Sequence, residues 1–286
     1  MIDSLKIGFF GSSKVSIYVL DELKKAGLIP ALIITTPDRP QGRGMKMAPN
    51  VVKTWAAENN VRALDPEKLD DDFASMLEKE ACDLFIVASY GKIMPAGIVN
   101  MPKHKTLNVH PSLLPRYRGA APLPTTILDD TKDTGVTIMR MDEKMDHGPI
   151  VAKKEITIAE WPTYEVFEEM MAREGGKVLA DCIPAWIRST LKEIEQNHSL
   201  ATFTKKIKKE DGLLDLAADP YMNFRKIQAY HEWPQAYFFA EKGDKKARVK
   251  VTAASFRDDK LHIEKVIPEG GREMGFSDFL KGYKMI

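Results

Sequence analysis

Residues 83–91, DLFIVASYG, form an almost uninterrupted apolar run, and this run decides the fold. A continuous run of this length is typical of a strand buried on both faces of a parallel sheet. Other short apolar runs alternate with segments of helical periodicity along the first half of the chain. The strand candidates are 5–10, 31–37 and 106–110, and the helix candidates are 16–25, 50–60 and 66–81. This alternation predicts an α/β fold with a doubly wound, mostly parallel sheet, whose functional site lies at the carboxyl ends of the strands.

The pattern changes in the second half of the chain. Residues 135–158 predict two strands around a polar turn, and a long helix follows over 163–191. Residues 192–203 are polar and mixed, which favours a linker. Several short alternating segments then predict a small C-terminal β-barrel, of OB-like type. The predicted organisation is a catalytic domain over 1–191, a linker over 192–203, and a β-barrel domain over 204–286.

Composition excludes several classes of protein. Of the 286 residues, 44% are apolar and 29% are charged, which is typical of a globular chain. No apolar run is long enough for a membrane span, and the N-terminus lacks a secretory signal, so we expect a cytoplasmic protein. Cys82 and Cys182 lie far apart, each in a segment predicted to be helical, which predicts no disulfide. The six histidines form no HExxH-like cluster, so we expect no metal.

The charge is unevenly distributed along the chain. The net formal charge is only +1, which by itself argues against a nucleic-acid partner. Residues 200–286 nevertheless contain 17 Lys and Arg against 13 Asp and Glu, so the C-terminal part is mildly basic. A solvated surface explains this small asymmetry nearly as well as a polyanionic partner does.

Residues 107–122, LNVHPSLLPRYRGAAP, carry the first chemical motif. Asn108 and His110 are two residues apart at the end of a strand, so their side chains share one face. An amide and an imidazole there can hold a carbonyl oxygen as it becomes an oxyanion, and histidine also suits proton transfer near neutral pH. The alternative is that His110 only satisfies a loop carbonyl.

The residues after His110 predict a rigid loop. Its prolines fix the backbone, so residues 112–115 either form the wall of a pocket for a flat heterocycle or pack as an ordinary turn. Arg116 and Arg118 are predicted to point toward solvent. There they either meet phosphate or carboxylate groups or simply form a solvated surface.

The second motif, MDEKMDHGPIV at 141–151, follows the next strand. Asp142 and Asp146 lie on its turn, and Gly148 permits a tight backbone path. A carboxylate here can orient His110 or take a proton through water, whereas the alternative is an aspartate that only caps the turn.

The two motifs in this order resemble the signature of the folate-dependent formyltransferases. Among these enzymes, the segment RYRGAAP, the loop at 35–49 and the C-terminal stretch FRKIQAYHEWPQAYFF resemble the members that act on methionyl-tRNA. The resemblance extends over nearly the whole chain. It departs from the family after the first strand, where Gly11-Ser12-Ser13 replaces a Gly-Thr-Pro turn, and at His147 and Pro149.

The resemblance implies a formyl transfer. The donor is 10-formyltetrahydrofolate, and the acceptor is the α-amine of methionine on the initiator tRNA, for translation initiation. Asn108 and His110 are implied to stabilise the oxyanion, while Asp146 orients His110 and helps to remove the amine proton through water. Asp142 is implied to hold the Asp146 loop. The implied folate-binding residues are Ser112, Leu113, Leu114, Pro115, Ile86, Val87, Ala88, Tyr90 and Gly91.

The resemblance also implies a tRNA-binding role for two basic segments. With three prolines and two glycines, residues 35–49 are predicted to be an irregular loop that enters the RNA near the acceptor end. Its implied contacts are Arg39, Arg43 and Lys46. A second run, KKIKK at 205–209, supplies Lys205, Lys206 and Lys208, unless it is only a solvated segment. A third, weaker candidate comprises Lys245, Lys246, Arg248 and Lys250.

Three other functions fit parts of the sequence. A formyltransferase acting on an amino-sugar nucleotide needs the same chemistry but neither the 35–49 loop nor a basic C-terminal domain. A formyltetrahydrofolate hydrolase uses water in place of the amine and leaves that loop unexplained. A non-catalytic RNA-binding protein is disfavoured by the intact Asn108, His110 and Asp146. We expect a monomer with no membrane partner.

Overall fold

The computed structural model describes residues 4–41 and 46–286. The chain forms two compact units, each built from three segments. The first contains the described residues up to Arg118, Gly135–Ile156 and Glu169–Phe203, and the second contains Gly119–Thr134, Thr157–Glu168 and Thr204–Ile286.

Strands and helices alternate over the first half of the chain, and strands dominate the last quarter. The strands are β1 (Ile7–Phe10), β2 (Leu32–Ile34), β3 (Arg39–Gln41), β4 (Lys46–Ala48), β5 (Arg62–Leu64), β6 (Leu84–Val87), β7 (Thr106–His110), β8 (Arg118–Gly119), β9 (Asp133–Arg140), β10 (Ile150–Thr157), β11 (Phe203–Thr204), β12 (Tyr237–Lys242), β13 (Lys245–Arg257), β14 (Lys260–Pro268), β15 (Met274–Gly275) and β16 (Lys284–Met285). The helices are α1 (Lys14–Lys25), α2 (Val51–Glu58), α3 (Asp71–Lys79), α4 (Ala96–Val99), α5 (Pro122–Leu128), α6 (Tyr164–Ile187), α7 (Pro220–Ala229) and α8 (Phe276–Phe279), with 3-10 turns at His198–Leu200 and Lys209–Gly212.

A seven-stranded sheet in the order β10-β9-β7-β6-β1-β2-β5 underlies the first unit. The five strands from β5 to β7 in that order pair in parallel, and β9 runs antiparallel to β7. All four residues of β1 and all four of β6 are buried, which explains their continuous apolar runs. The chain proceeds from β1 toward β5 on one side and then from β6 toward β7 on the other. The predicted α/β fold with a mostly parallel sheet is therefore confirmed.

The two faces of this sheet are covered by separate apolar clusters. Successive residues of β1 enter different clusters: Phe9 packs with Leu20 of α1, and Phe10 packs with Leu77 of α3. Local capping fixes where α2 begins. Asn50 accepts a hydrogen bond from the Val52 amide at 2.9 Å at the start of α2, as predicted from the sequence.

The second unit contains a five-stranded sheet in the order β15-β14-β13-β12-β16, and all its neighbouring strands are antiparallel. Its core joins Ile227 of α7 and Phe279 of α8 to Phe238, Val249 and Val266 of the sheet. The predicted strands are therefore present. Their closure into an OB-like barrel stays a prediction.

The prediction of an irregular loop over 35–49 is wrong in part. Strands β3 and β4 pair as an antiparallel ribbon, with Arg39 opposite Ala48 and Gln41 opposite Lys46. Pro40 is tolerated because a two-stranded ribbon has open edges, where a missing N–H need not break the pairing. Residues 42–45 lie outside the described residues.

Residues 192–203, predicted to be a linker, belong to the first unit. Their polar groups make specific contacts: Ile194 exchanges two backbone hydrogen bonds with Ile150, and Glu193 receives two 2.9 Å hydrogen bonds from Arg140. The segment is largely exposed, but these contacts attach it to the first unit. The functional limits of the predicted domains stay a prediction.

The two cysteines are free thiols. Cys182 is buried in α6, where burial raises its pKa to about 12. Cys82 was predicted to lie in a helix, and this prediction is wrong. The residue lies between α3 and β6, where burial also raises the pKa of its thiol.

Within the ranges 4–41 and 46–286, no helix is both long and apolar enough to cross a membrane.

Candidate active site

Strand β7 presents Asn108 and His110 on one face of the sheet. The alternating residues Leu107 and Val109 are buried in the core on the other face. Asn108 is half-buried, and its amide makes no hydrogen bond to any residue that the structure describes. Its donor group is therefore available to a ligand.

His110 is only 4% exposed, and each of its ring nitrogens faces a polar group. Nε2 lies 3.0 Å from the Tyr117 carbonyl oxygen, and Nδ1 lies 3.6 Å from Oδ1 of Asp146. Because a carbonyl can only accept, Nε2 carries the proton of the neutral ring. Nδ1 is then the nitrogen that can accept a proton, and it faces a carboxylate. His110 thus satisfies a loop carbonyl and also faces Asp146, and its role in stabilising an oxyanion stays a prediction.

The loop between β9 and β10 brings Asp146 to His110. Asp146 itself has a positive φ of 49°, and the chain turns back on itself at Gly148. A side chain at Gly148 would overlap the carbonyl oxygen of Arg140, so only glycine lets the loop approach the end of β9 so closely.

The same loop is braced by its own side chains. Asp142 accepts a 2.6 Å hydrogen bond from Nδ1 of His147 and a 2.9 Å bond from the Lys144 amide. The His147 ring stacks on His198, with centroids 4.1 Å apart and planes at 5°. Asp142 therefore holds the loop that carries Asp146, as the sequence predicts.

The predicted exposure of both arginines is wrong for Arg118, which is 3% exposed. Its guanidinium donates to Oε1 of Gln196 from Nε at 3.2 Å and from a terminal nitrogen at 2.6 Å. Burial lowers the pKa of Arg118, while the negative charges of Asp146 and Asp142 act in the opposite direction. Arg116 is exposed as predicted, and its guanidinium lies 5.2 Å from the centroid of the Tyr117 ring.

Gln196 is a residue that sequence reasoning missed. Its Nε2 donates to the main-chain oxygens of Asp146 at 3.0 Å and Gly148 at 2.7 Å, and the residue is 4% exposed. His198, two residues on, accepts from Arg118 at Nδ1, 2.9 Å away, which requires a neutral ring. Burial and the positive charges of His147 and Arg118 lower the pKa of His198, in agreement with that state.

Residues 112–115 form a tightly bonded turn. The Ser112 hydroxyl donates to the Arg116 carbonyl at 2.7 Å, and the Leu114 amide donates to the Thr137 hydroxyl at 3.1 Å. Leu114 points into a small core cluster, whereas Leu113 and Pro115 are half-buried. The turn has the rigidity expected of a pocket wall.

The other predicted folate residues fall into two groups. The side chains of Ile86, Val87 and Ala88 lie in the core of the sheet, so they can contact a ligand only through main-chain atoms. Tyr90 and Gly91 instead line a cavity of about 280 Å³. Its other lining residues are Ser12, Thr36, Pro37, Asn50 and Lys92.

This cavity lies beyond the carboxyl ends of β1 and β6, where the strand order reverses direction. That is where ligands bind in doubly wound sheets. The Tyr90 hydroxyl is buried without a hydrogen-bond partner among the described residues, and burial raises its pKa to about 12. Ser12 and Ser89 tie the two strand ends together through a hydrogen bond of 3.1 Å.

The predicted tRNA-binding residues lie in two separate places. Arg39 is in β3 and Lys46 in β4, and Arg43 lies outside the described residues. The base of this ribbon is anchored, because Asp38 accepts from the Asn50 amide at 3.0 Å and pairs with Lys53. The Asn50 hydrogen bond, followed by Lys53, lowers the pKa of Asp38.

The second basic run, Lys205, Lys206 and Lys208, is exposed in the second unit. These three ammonium groups form no ion pair within the part of the chain that the structure describes.

The same described part contains no cluster of three or more His, Cys, Asp or Glu side chains that could hold a metal ion. The absence of a metal stays a prediction.

Comparison with known proteins decides the family. Residues 5–183 match the family described as "Formyl transferase". The methionyl-tRNA formyltransferase of Halalkalibacterium halodurans is 34% identical, and the alignment covers 97% of this chain and 95% of that protein. The chain belongs to the methionyl-tRNA formyltransferase family. The resemblance stated from the sequence motifs is therefore confirmed.

Solved structures confirm the family's fold. A methionyl-tRNA formyltransferase from Clostridium thermocellum aligns with a TM-score of 0.62 at 15% identity, over 95% of this chain and 99% of that one. An N-formyltransferase from Helicobacter canadensis, solved with folinic acid and dTDP-3-aminofucose, aligns with a TM-score of 0.62 at 17% identity, over 99% and 98%. These alignments show that the chain shares its fold with a methionyl-tRNA formyltransferase and with a formyltransferase solved with folinic acid.

Proposed function

We propose that the protein transfers the formyl group of 10-formyltetrahydrofolate to the α-amine of methionyl-initiator-tRNA, for translation initiation. The observation that carries the proposal is the arrangement of Asn108, His110 and Asp146 in a member of this family. An available amide donor, a buried imidazole and a carboxylate are the groups that acyl transfer to an amine requires.

The reaction needs stabilisation of one negative charge and movement of one proton. As the amine nitrogen bonds to the formyl carbon, the formyl oxygen becomes an oxyanion. The bond between the formyl carbon and the N10 nitrogen of the folate then breaks. The Asn108 amide donates to that oxyanion. Removing such a donor typically costs about 10²–10³-fold in rate.

His110 has two sequential roles in this proposal. The Tyr117 carbonyl keeps the proton on Nε2, so the neutral ring accepts the proton of the attacking amine at Nδ1. The protonated ring is then a donor to the oxyanion and returns the proton from Nδ1 to the departing N10. Asp146, 3.6 Å from Nδ1, orients the ring and assists the proton transfer through water.

The proposed folate slot lies between the turn at 112–115 and the β6 end. The turn presents half-buried Leu113 and Pro115 to the heterocycle, while residues 86–88 offer only main-chain atoms there. Tyr90 and Gly91 bound the adjoining cavity. A wall whose own hydrogen bonds are already made loses little entropy when the ligand binds.

For the tRNA we propose contacts from the β3–β4 ribbon, through Arg39, Arg43 and Lys46, and from Lys205, Lys206 and Lys208. The ammonium groups of Lys205, Lys206 and Lys208 are exposed and form no ion pair with the described residues, so they can bind phosphates without first breaking an ion pair. We also propose that the C-terminal sheet closes as an OB-like barrel that contacts the tRNA. In support, Arg248 and Lys246 lie over the Tyr237 and Phe239 rings, at 3.8 and 4.4 Å from the centroids.

The remaining sequence-based expectations, a monomer that acts in the cytoplasm without a metal ion, belong to the same proposal. The proposal is tested by incubating the protein with methionylated initiator tRNA and 10-formyltetrahydrofolate. Formyl-methionyl-tRNA should accumulate in a protein-dependent way, and methionylated elongator tRNA serves as the matched acceptor control.

Two parallel reactions test the rival functions. In one, an amino-sugar nucleotide replaces the tRNA, and in the other no acceptor is added. Formylation of the sugar alone would contradict the proposal in favour of the sugar-nucleotide branch. Release of formate without an acceptor, at the rate seen with tRNA, would indicate a hydrolase.

A further inference from the structure

The loop that carries Asp146 rests on a buried pair of side chains that the proposed mechanism does not use. Arg118 and Gln196 are 3% and 4% exposed, and they lie 78 residues apart in sequence. Gln196 contacts the loop only through its Nε2 atom, by the hydrogen bonds to the Asp146 and Gly148 carbonyls.

The guanidinium decides which end of the Gln196 amide faces the loop. Both hydrogen bonds that Arg118 makes to Gln196 end on Oε1, and a guanidinium can only donate. A flipped amide would place its N–H group against these donors and its oxygen against two carbonyl oxygens. Arg118 therefore fixes both N–H groups of Gln196 on the main chain at positions 146 and 148.

The pair is also held from outside the loop. The Arg118 amide donates to the Thr202 carbonyl at 2.9 Å, and the guanidinium donates to His198, whose ring stacks on His147. Gln196 follows Ile194, which is bonded to Ile150 at the start of β10. Arg118 is thus anchored to residue 202 outside the loop, and the segment that carries Gln196 is anchored to the start of β10.

We propose that Arg118 and Gln196 are positioning residues that hold the Asp146 carboxylate in place beside Nδ1 of His110. This inference rests on the proposed function for its kinetic effect but not for its geometry. Fixing a reacting group by a rigid shell matters because a misplacement of about 1 Å can cost on the order of 10²-fold in rate.

Gln196→Glu tests the positioning role. A glutamate keeps an oxygen that accepts from Arg118 but loses both donors to the loop, and its second oxygen then faces two carbonyl oxygens. We therefore expect a lower melting temperature, and kcat is compared at a temperature at which circular dichroism shows the variant to be fully folded. Under those conditions kcat should fall on the order of 10²-fold, with KM for both substrates nearly unchanged. Unchanged kcat in Gln196→Glu would overturn the proposal.

A double-mutant cycle shows whether the effect passes through Asp146. In an Asp146→Asn background, Gln196→Glu should change kcat by less than about threefold, because the carboxylate that it positions is already gone. Equal fold-changes in both backgrounds would indicate an independent structural effect. Asn223→Ala is the matched control, since Asn223 is a buried amide in the second unit that donates to the Asp215 carbonyl at 2.6 Å.

A measurement without substrate keeps the inference independent of the proposed function. In protein labelled with ¹⁵N at histidine, Gln196→Glu should shift the ring resonances of His110 in the same direction as Asp146→Asn does. Asn223→Ala should leave them in place. Unshifted His110 resonances in Gln196→Glu would contradict the positioning role, whether or not the wild type formylates methionyl-tRNA.

Discussion

The polar groups around His110 and the basic run at 205–209 are opposite in construction. Around His110, the side chains of Arg118, Gln196 and Asp142 are bonded to defined partners at 2.6–3.2 Å. Lys205, Lys206 and Lys208 are exposed and have no ion-pair partner among the described residues.

The difference follows from what each region is proposed to bind. Formyl transfer needs a few groups fixed to within about 0.5 Å, and burial with saturated hydrogen bonding supplies that precision. A phosphate backbone needs only positive charge within reach, so exposed lysines on flexible stems suffice. Substitutions in the first region should therefore change kcat or stability, whereas substitutions in the second should change tRNA affinity and its salt dependence.

His110→Ala should have the largest effect. It removes the proposed proton acceptor, so kcat should fall by about 10³-fold or more, while binding of both substrates stays within a few-fold of the wild type. Single-turnover formylation and equilibrium binding of each substrate measure the two quantities. A fall in kcat of less than tenfold would contradict the proposed role of His110.

Asn108→Ala should follow, with a fall in kcat of about 10²-fold and little change in either KM. The truncation removes an amide that has no partner within the described chain, so unfolding should change little. Asn100→Ala, which removes an exposed amide bonded to the Ala96 carbonyl at 3.1 Å, is the matched control. If both variants lose the same activity, Asn108 has no special place in the reaction.

The two arginines of the 107–122 motif show the same contrast within one segment, since Arg118 is buried and Arg116 is exposed. Arg118→Met removes both donors from the buried Oε1 of Gln196, which should lower the free energy of unfolding by about 3 kcal/mol. Arg116→Met changes an exposed side chain and should stay within about 0.5 kcal/mol of the wild type. Urea denaturation of the two variants in parallel measures the difference, and equal midpoints would refute it.

Replacing Lys205, Lys206 and Lys208 by alanine should have the smallest effect. The KM for tRNA should rise several-fold, and the dependence of log affinity on log salt should flatten by about 2–3, roughly one per lost phosphate contact. The kcat at saturating tRNA should not change. A control triple variant at the exposed Lys68, Lys79 and Lys103 removes the same charge elsewhere. An equal loss of tRNA affinity in the control would show that the effect comes from the net charge of the protein and not from contacts of Lys205, Lys206 and Lys208.

The sequence was sufficient to predict a structural element wherever the signal for that element lies in neighbouring residues. The strand TLNVH corresponds to β7 residue for residue, and Asn50 caps α2, because strand periodicity and capping are properties of neighbouring residues. The catalytic trio was proposed because β7 carries two of its members and the motif after β9 supplies the third.

The sequence was insufficient wherever partners are distant. The burial of Arg118 depends on Gln196, and no spacing rule relates residues 78 positions apart. The β3–β4 ribbon was missed because proline and glycine content favours turns, whereas pairing of two three-residue strands depends on the tertiary setting. Sequence patterns therefore indicate which polar groups a segment contains, and the structure shows which of them are already hydrogen-bonded within the protein.

Gly148 makes the site fragile in a way that its chemistry does not reveal. The loop closes on the Arg140 carbonyl because one atom, a β-carbon, is missing there. Every replacement of this glycine adds that atom, so even alanine, which brings no charge and removes no hydrogen-bonding group, must push the loop off β9. A position that carries no reactive group thus limits which sequences can bring Asp146 to His110, and a substitution there can disable the site while every proposed catalytic side chain is retained.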